Sequence, residues 1–398
     1  MKLRKLTGYH HTIYASYLGY ISQAIVNNFA PLLFLTFHSE LGLSLQSITL
    51  ITTVNFLVQL ATDLVCARYV DRIGYRACLI AAHIFAALGL AGMAVLPGIL
   101  NPYAGIMTSV VLYAIGGGII EVLVSPVVEA CPTEKKEAAM SLLHSFYCWG
   151  HMAVVLLSTA FFHFAGIENW RMMACIWAIV PACNAVYFAL VPLFPITTEE
   201  NKMSLGGLLK QKIFWLLIVM MVCAGASEHV IAQWASAFAE SGLNLSKTMG
   251  DLLGVCTFAL MMGTARAIYG KYSDRIPLKK MMIFSAALCI VCYCLAAFSN
   301  EPIWGLVGCA VCGFSVGIFW PGTFSMAAVV LPGGGTAMYA FMALAGDLGC
   351  GSGPTVVGLA ADSAGGDLKK GIAMALVFPI LMIISVSLMK YKKVSPTK

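Results

Sequence analysis

The chain has 398 residues, of which 60% are hydrophobic and 11% charged, with a formal net charge of +6. Its mean hydropathy is +0.86. A soluble domain is about 45–50% apolar and about 25% charged, so this balance excludes a water-soluble enzyme, a disordered chain and a collagen-like repeat. The small positive charge is dispersed over loops, with no basic face for nucleic acid. A polytopic membrane protein remains.

A membrane-spanning helix takes about 20 mostly apolar residues. Twelve such stretches begin near Tyr9, Leu45, Ala77, Pro102, Ala138, Trp170, Lys212, Ser246, Leu278, Pro302, Thr336 and Leu368. They close at breaks such as Pro97-Gly98, Asn101-Pro102 and Ser299-Asn300-Glu301-Pro302. The alternation of barrel strands, about 9–11 residues each, is absent. The pattern predicts an all-α membrane protein with twelve transmembrane helices in two six-helix bundles. Residues 1–195 form the first bundle, 196–211 a cytoplasmic linker and 212–398 the second. With the N-terminus inside, nineteen Lys and Arg fall in inner loops and four in outer ones. That asymmetry places both termini in the cytoplasm. The basic start Met1-Lys2-Leu3-Arg4-Lys5 leads into a full span without a small-residue cleavage site, so it is not read as a signal peptide.

The halves share a loop pattern. Arg68-Tyr69-Val70-Asp71-Arg72-Ile73 follows the second span, and Lys271-Tyr272-Ser273-Asp274-Arg275-Ile276 follows the eighth. Such duplication is a signature of secondary transporters, whose substrate sites lie near mid-membrane between the repeats. The fourteen cysteines are read as small hydrophobes in apolar helices. Cys309-Ala310-Val311-Cys312 has metal or redox spacing, but it is read as packing, with no second pair beside it. No metal site and no cofactor are expected.

Twelve helices, a central loop and the paired Asp-Arg loops resemble the major facilitator superfamily. Its loop signature is Gly-x-x-x-Asp-Arg-x-Gly-x-Arg/Lys. Asp71, Arg72, Gly74 and Arg76 match it, with Ala67 for the first Gly; Gly270, Asp274 and Arg275 match in the second half, where Pro277 departs. The resemblance implies alternating access and a monomer. Helices four and five are similar to the fucose–proton symporter family, through Gly116-Gly117-Gly118-Ile119-Ile120-Glu121 to Ser125-Pro126 and Ala138-Ala139-Met140-Ser141-Leu142-Leu143-His144-Ser145-Phe146. That likeness implies proton coupling at Glu121. The acid which that family has in helix one is replaced here by Asn27-Asn28.

A charge in the bilayer core costs at least about 2.5–3.5 kcal/mol, so it normally faces a cavity or a partner. Glu121, Ser125 and Glu129 form one stripe of helix four. Helix five runs back and should bring His144 level with Glu121, with Tyr147 and His151 on the same face. The functional reading is a Glu–His pair that exchanges a proton between about pH 5 and 8; the plain alternative is a neutral hydrogen-bonded pair. Glu228 in helix seven is a further proton-coupling candidate. His229, Gln233 and Trp234 beside it are substrate-binding candidates, as are Gln23, Asn27 and Asn28 of helix one, Tyr147, and Trp320 in Phe319-Trp320-Pro321-Gly322. Tyr20 shares the face of Gln23 and Asn27. Each amide alone reads better as helix–helix glue, and substrate contact gains weight only for the set on one face. Asp347 is either a second titratable group or a packing residue. Asp63 and Arg266 read as structural or gating charges. Asp71, Arg72 and Arg76, with Asp274 and Arg275, are the gating set.

Soluble-enzyme patterns mislead here. Gly313-Phe314-Ser315-Val316-Gly317 lies in an apolar helix and not at the strand–turn–helix that a nucleophile elbow needs. Gly349-Cys350-Gly351-Ser352-Gly353-Pro354 lacks the Lys-Ser/Thr of a phosphate loop. No enzyme is expected. The reading is a secondary active transporter of the bacterial cytoplasmic membrane, with proton-coupled symport of a sugar or related polar small molecule. Its partners are that substrate, protons and the lipid bilayer. Proton-driven efflux of amphipathic compounds and a non-transport membrane sensor are the alternatives.

Overall fold

The computed structural model describes residues 7–195, 203–243, 254, 256–365 and 368–391. The elements are α1 (Tyr9–Leu32), α2 (Phe34–Leu41), α3 (Leu45–Ile73), α4 (Tyr75–Ile99), α5 (Pro102–Ala130), α6 (Lys136–Ala165), α7 (Trp170–Leu190), α8 (Leu205–Leu209) and α9 (Lys212–Leu243). They continue as α10 (Thr257–Tyr272), α11 (Leu278–Phe298), α12 (Pro302–Val316), α13 (Phe319–Val330), α14 (Gly335–Ser363), α15 (Leu368–Met374) and α16 (Val377–Leu388). Among the described residues no strand occurs, and nine helices are long and apolar enough to cross a membrane. Ser246, the expected start of the eighth span, lies outside the described residues. In hydrocarbon each backbone polar group must be satisfied within its own segment, which leaves the helix as the economical form for such apolar stretches.

Local chemistry sets the helix ends. Asn101 Oδ1 accepts from Ala104 N at 2.8 Å, with Pro102 in the first helical turn of α5. Ser44 Oγ accepts from Ser47 N at 3.1 Å at the start of α3. Gly74, at φ 98°, turns α3 into α4 in a conformation that other residues avoid. Large apolar side chains lie on the outside, such as Ile99, Phe164 and Leu388. They have no core to join and suit contact with lipid. The protein is a multi-pass membrane protein.

The chain forms two compact units, Met1–Pro132 with Trp149–Ile196, and Thr133–Cys148 with Thr197–Lys398. It therefore passes from one unit to the other inside α6. In unit 1, Phe29, Phe37, Met93, Tyr113, Trp170 and Trp177 belong to one buried apolar cluster. A polar tie crosses that unit. Asn184 Nδ2 lies 2.8 Å from His83 Nε2 and donates to the Ala15 carbonyl at 3.0 Å, while His83 Nδ1 lies 2.7 Å from the Leu79 carbonyl. In unit 2, α9 and α14 meet backbone to backbone. A Cβ built on Gly225 would lie 2.0 Å from the Gly346 carbonyl oxygen, and one on Gly349 would lie 2.2 Å from that of Val222. Only glycine permits this approach.

One expectation is corrected here. The Cys309/Cys312 pair does have a second pair beside it, Cys289 and Cys292 of α11, and the Cys289 and Cys312 sulfurs are 4.0 Å apart. The second pair is visible in the sequence as Cys289-Ile290-Val291-Cys292, with the same spacing; the side-by-side packing of α11 and α12 brings the two pairs together. All four thiols are buried and free, and among the described residues no group of His, Cys, Asp and Glu has metal-holding geometry.

Candidate transport sites in the two units

In unit 1 the predicted residues of α1 and α5 come together. Gln23 Nε2 donates to Glu121 Oε2 at 2.9 Å and to Gln59 Oε1 at 3.2 Å. Gln59 Nε2 donates to Asn27 Oδ1 at 2.8 Å, and Asn55 Nδ2 approaches the same oxygen at 3.4 Å. The Tyr20 hydroxyl and Ser125 Oγ are 2.9 Å apart. Gly117 makes room for this cluster, since a Cβ there would lie 3.0 Å from Gln23 Oε1. Gln23 Oε1 and Asn55 Oδ1 are buried and receive no hydrogen bond. Asn28 turns instead to its own helix and donates to the Ala24 carbonyl at 2.8 Å. Sequence reasoning missed Asn55 and Gln59, although their spacing of four on an apolar helix is a signal of one polar face.

In unit 2 the centre is Arg266 of α10, which is 2% exposed. Its Nε donates to the Gly317 carbonyl at 2.7 Å. Its Nη1 donates to the His144 carbonyl at 3.0 Å and to Cys148 Sγ at 2.8 Å, and its Nη2 lies 3.5 Å from Glu228 Oε2. The first of these bonds has a local cause. Pro321 has no N–H to give to Gly317, four residues earlier, and α12 ends at Val316 before α13 starts at Phe319. The guanidinium supplies the missing donor, and a fork of five N–H groups suits so many acceptors. The candidates Glu228 and His144 thus meet on one arginine, His144 through its backbone.

An aromatic row continues from there. The rings of His144 and Phe324 are 5.8 Å apart, those of Trp320 and Phe324 6.3 Å, and those of Phe324 and Tyr339 5.5 Å and stacked. Trp320 lies across α14, where a Cβ on Gly346 would come within 2.2 Å of the indole. Ser227 Oγ and His229 Nδ1 are buried without a hydrogen-bond partner. Gln233 and Trp234 have side chains outside the described ones. Glu121 belongs to unit 1, and His144 and Tyr147 to unit 2; Tyr147 is half-buried.

The part of α6 in unit 2 is fastened to α10 along its length. Lys135 pairs with Asp274 at 2.8 Å, and that carboxylate keeps the ammonium above its ordinary pKa. Glu137 accepts from the Tyr269 hydroxyl at 3.0 Å and from the Tyr391 hydroxyl at 2.7 Å. Ser141 Oγ donates to the Arg266 carbonyl at 2.6 Å.

The comparisons with known proteins agree with this architecture. The profile of the Major Facilitator Superfamily matches residues 16–354. The chain belongs to the major facilitator superfamily. It is therefore a membrane transporter, as that family is. Membrane protein MosC of Rhizobium meliloti is 23% identical over 286 residues, and the match covers 71% of this chain but only 66% of that protein. Among solved structures, the E. coli fucose:proton symporter FucP superimposes with a TM-score of 0.78 at 14% identity, covering 96% of this chain and 98% of the other. The proton:xylose symporter XylE superimposes at 0.81 with 12% identity, covering 96% and 95%. A bacterial homologue of the iron transporter ferroportin gives 0.73 at 15% identity, covering 95% and 98%.

The superfamily's duplicated loops carry a matched device here. Arg76 donates to the carbonyls of Phe188, Ala189 and Val191 at 2.7, 3.1 and 2.8 Å, at the C-terminal end of α7. Lys279, at the equivalent place of the second repeat, donates to the carbonyls of Ser387 and Met389 at 2.9 and 2.7 Å, at the end of α16. A cation on the last carbonyls of a helix satisfies acceptors and complements the dipole. Lys279 was missed beside the departing Pro277. Asp71 accepts from the Tyr75 hydroxyl at 2.7 Å. Arg72 and Arg275 are exposed.

Proposed function

We propose that this transporter is a proton-coupled symporter of a sugar or related polyhydroxy compound, working by alternating access in the bacterial cytoplasmic membrane as a monomer. The moving parts in this reading are the two repeats, residues 1–195 and 212–398, joined by 196–211. The observation that carries it is the cluster of Gln23, Asn27, Asn55 and Gln59 around Glu121, with Gln23 Oε1 and Asn55 Oδ1 buried and lacking donors. A buried acceptor without a partner costs about 1–3 kcal/mol. A cargo hydroxyl donates and accepts at once, so it removes that cost and also uses the amide donors. Glu121 carries the coupled proton, because a carboxylate at this depth is costly to keep charged.

The other proposed roles follow from their places. His144 and Glu228 adjust their charge environment through Arg266, Trp320 offers a ring face to cargo, and Tyr147, His229, Gln233 and Trp234 are further substrate contacts. Asp274, held by Lys135, and Arg275 are gating residues of unit 2, as Asp71, Arg72 and Arg76 are of unit 1. The solved symporters of fucose and xylose favour a sugar over an amphipathic cargo. The test is a thermal-shift screen of monosaccharides and polyols, followed by uptake of the hit into proteoliposomes with and without a pH gradient. Glu121→Gln should abolish gradient-driven accumulation while keeping exchange. Unchanged pH-driven accumulation in that variant removes Glu121 from coupling.

A further inference from the structure

We infer that Asp347 of α14 is a second cation-carrying carboxylate, taking up one proton or one sodium ion in unit 2 during each cycle. The inference rests on the transport reading above and adds a residue to it. Asp347 Oδ2 is buried and has no hydrogen-bond partner. Among the described residues no ion pair includes Asp347, whereas Glu228 faces Arg266 at 3.5 Å. An acid in such a place is expensive as a bare anion. The residue is half-buried, so a proton or a cation can reach the carboxylate and neutralise it.

The position is built by a close backbone contact between α14 and α9. Gly346 and Gly349, on either side of Asp347, are the residues pressed on Gly225 and Val222 of α9. The contacts of Gly349 with Val222 and of Gly353 with Ala226 make the two helices parallel. At about 1.5 Å per residue, these contacts put Asp347 within roughly 12 Å of the level of Glu228, on its Lys212 side. Trp320 covers the backbone at Gly346, the neighbouring residue.

The charged and titratable groups on the elements packed against α14 are few. The segment of α9 beside it brings Cys223, Glu228 and His229, whose Nδ1 is also without a partner. The α13 helix brings Trp320 and Phe324 and no charge. The short α15 brings Lys369 and Lys370, and Lys369 donates to the Ser299 carbonyl at 2.6 Å. No described bond gives Asp347 a standing counter-charge, so neutrality there depends on a bound proton or cation.

The test needs no cargo. Infrared difference spectra of the purified full-length transporter in nanodiscs are taken across pH steps, and across sodium steps at fixed pH, for wild type, Asp347→Asn, Asp347→Glu and Glu121→Gln. The expected result is a carboxylic-acid band on acidification that is lost in Asp347→Asn and kept in Glu121→Gln. Asp347→Glu should restore it, which separates lost titration from lost folding. A pH-indicator count should fall by about one proton per transporter in Asp347→Asn. A sodium-induced carboxylate change confined to chains with an acid at 347 also supports the inference and names sodium as the cation. Identical spectra for wild type and Asp347→Asn in both titrations overturn it. If pH-driven uptake instead survives Glu121→Gln while the Asp347 band is present, the coupling role of Glu121 falls and this inference stands.

Discussion

Gln23 Nε2 sits between two acceptors on other helices, 2.9 Å from Glu121 Oε2 and 3.2 Å from Gln59 Oε1. One amide of α1 therefore holds both the acid of α5 and the amide chain of α3. Replacing Gln23 with Met keeps the volume and removes both bonds. Two hydrogen bonds at about 0.5–1.5 kcal/mol each hold this cluster in place, so KM for the cargo should rise by roughly tenfold. The check is initial-rate uptake in proteoliposomes at matched protein density.

Arg266 is held on four sides, and Glu228 depends on it. Arg266→Met should destabilise the fold by about 3–5 kcal/mol, because an unpaired carboxylate is left in the interior. Adding Glu228→Gln should recover part of that loss. Thermal unfolding in detergent, followed by tryptophan fluorescence, measures both. A double variant no more stable than the single one would show that the carboxylate is not the source of the cost.

The two C-terminal caps should be unequal. Arg76 reaches three carbonyls through its fork, and Lys279 reaches two through one nitrogen. Arg76→Ala is expected to cost about 1–3 kcal/mol and Lys279→Ala less. Arg76→Lys should recover only part of the difference. Melting temperatures of the three variants, each compared with wild type, decide the order.

Glu40 gives a pH prediction. Its partial burial favours the neutral acid, but the hydrogen bonds from Arg171 and from Trp170 Nε1, at 2.7 Å, outweigh this and bring its pKa below the usual 4.5. A depressed carboxylate contributes stability that is complete above its unfolded pKa and is lost as pH falls through the folded one. Between pH 6 and pH 3 the melting temperature of wild type should therefore fall more than that of Glu40→Gln. Equal slopes would show that the cluster makes no pH-dependent contribution.

The helix starts were readable because they carry their own punctuation. Tyr9, Leu45, Pro102, Trp170, Lys212, Leu278, Pro302 and Leu368 open helices where the apolar stretches begin, each beside a Pro, Gly or polar break. The gap between α12 and α13 was signalled by Pro321. What bonds to what was less legible. Gln23 and Asn27 are visible as a face of one helix, but Gln59 and Asn55 join them only because α1, α3 and α5 pack side by side around Gly117 and Gly118. The placing of Thr133–Cys148 in unit 2 rests on Glu137 and Ser141 meeting α10 and on Lys135 meeting Asp274 just after it, contacts that cross more than a hundred residues. Cys289-Ile290-Val291-Cys292 was legible as a second run of the same spacing, and only its contact with Cys312 depends on the packing of two helices.

Pro321 and Arg266 make sense only as a couple. A residue with an N–H at 321 would let Gly317 close its own helical turn, leaving the arginine with a surplus charged donor in the membrane. Loss of the arginine first would strand a carbonyl that the proline has already disinherited.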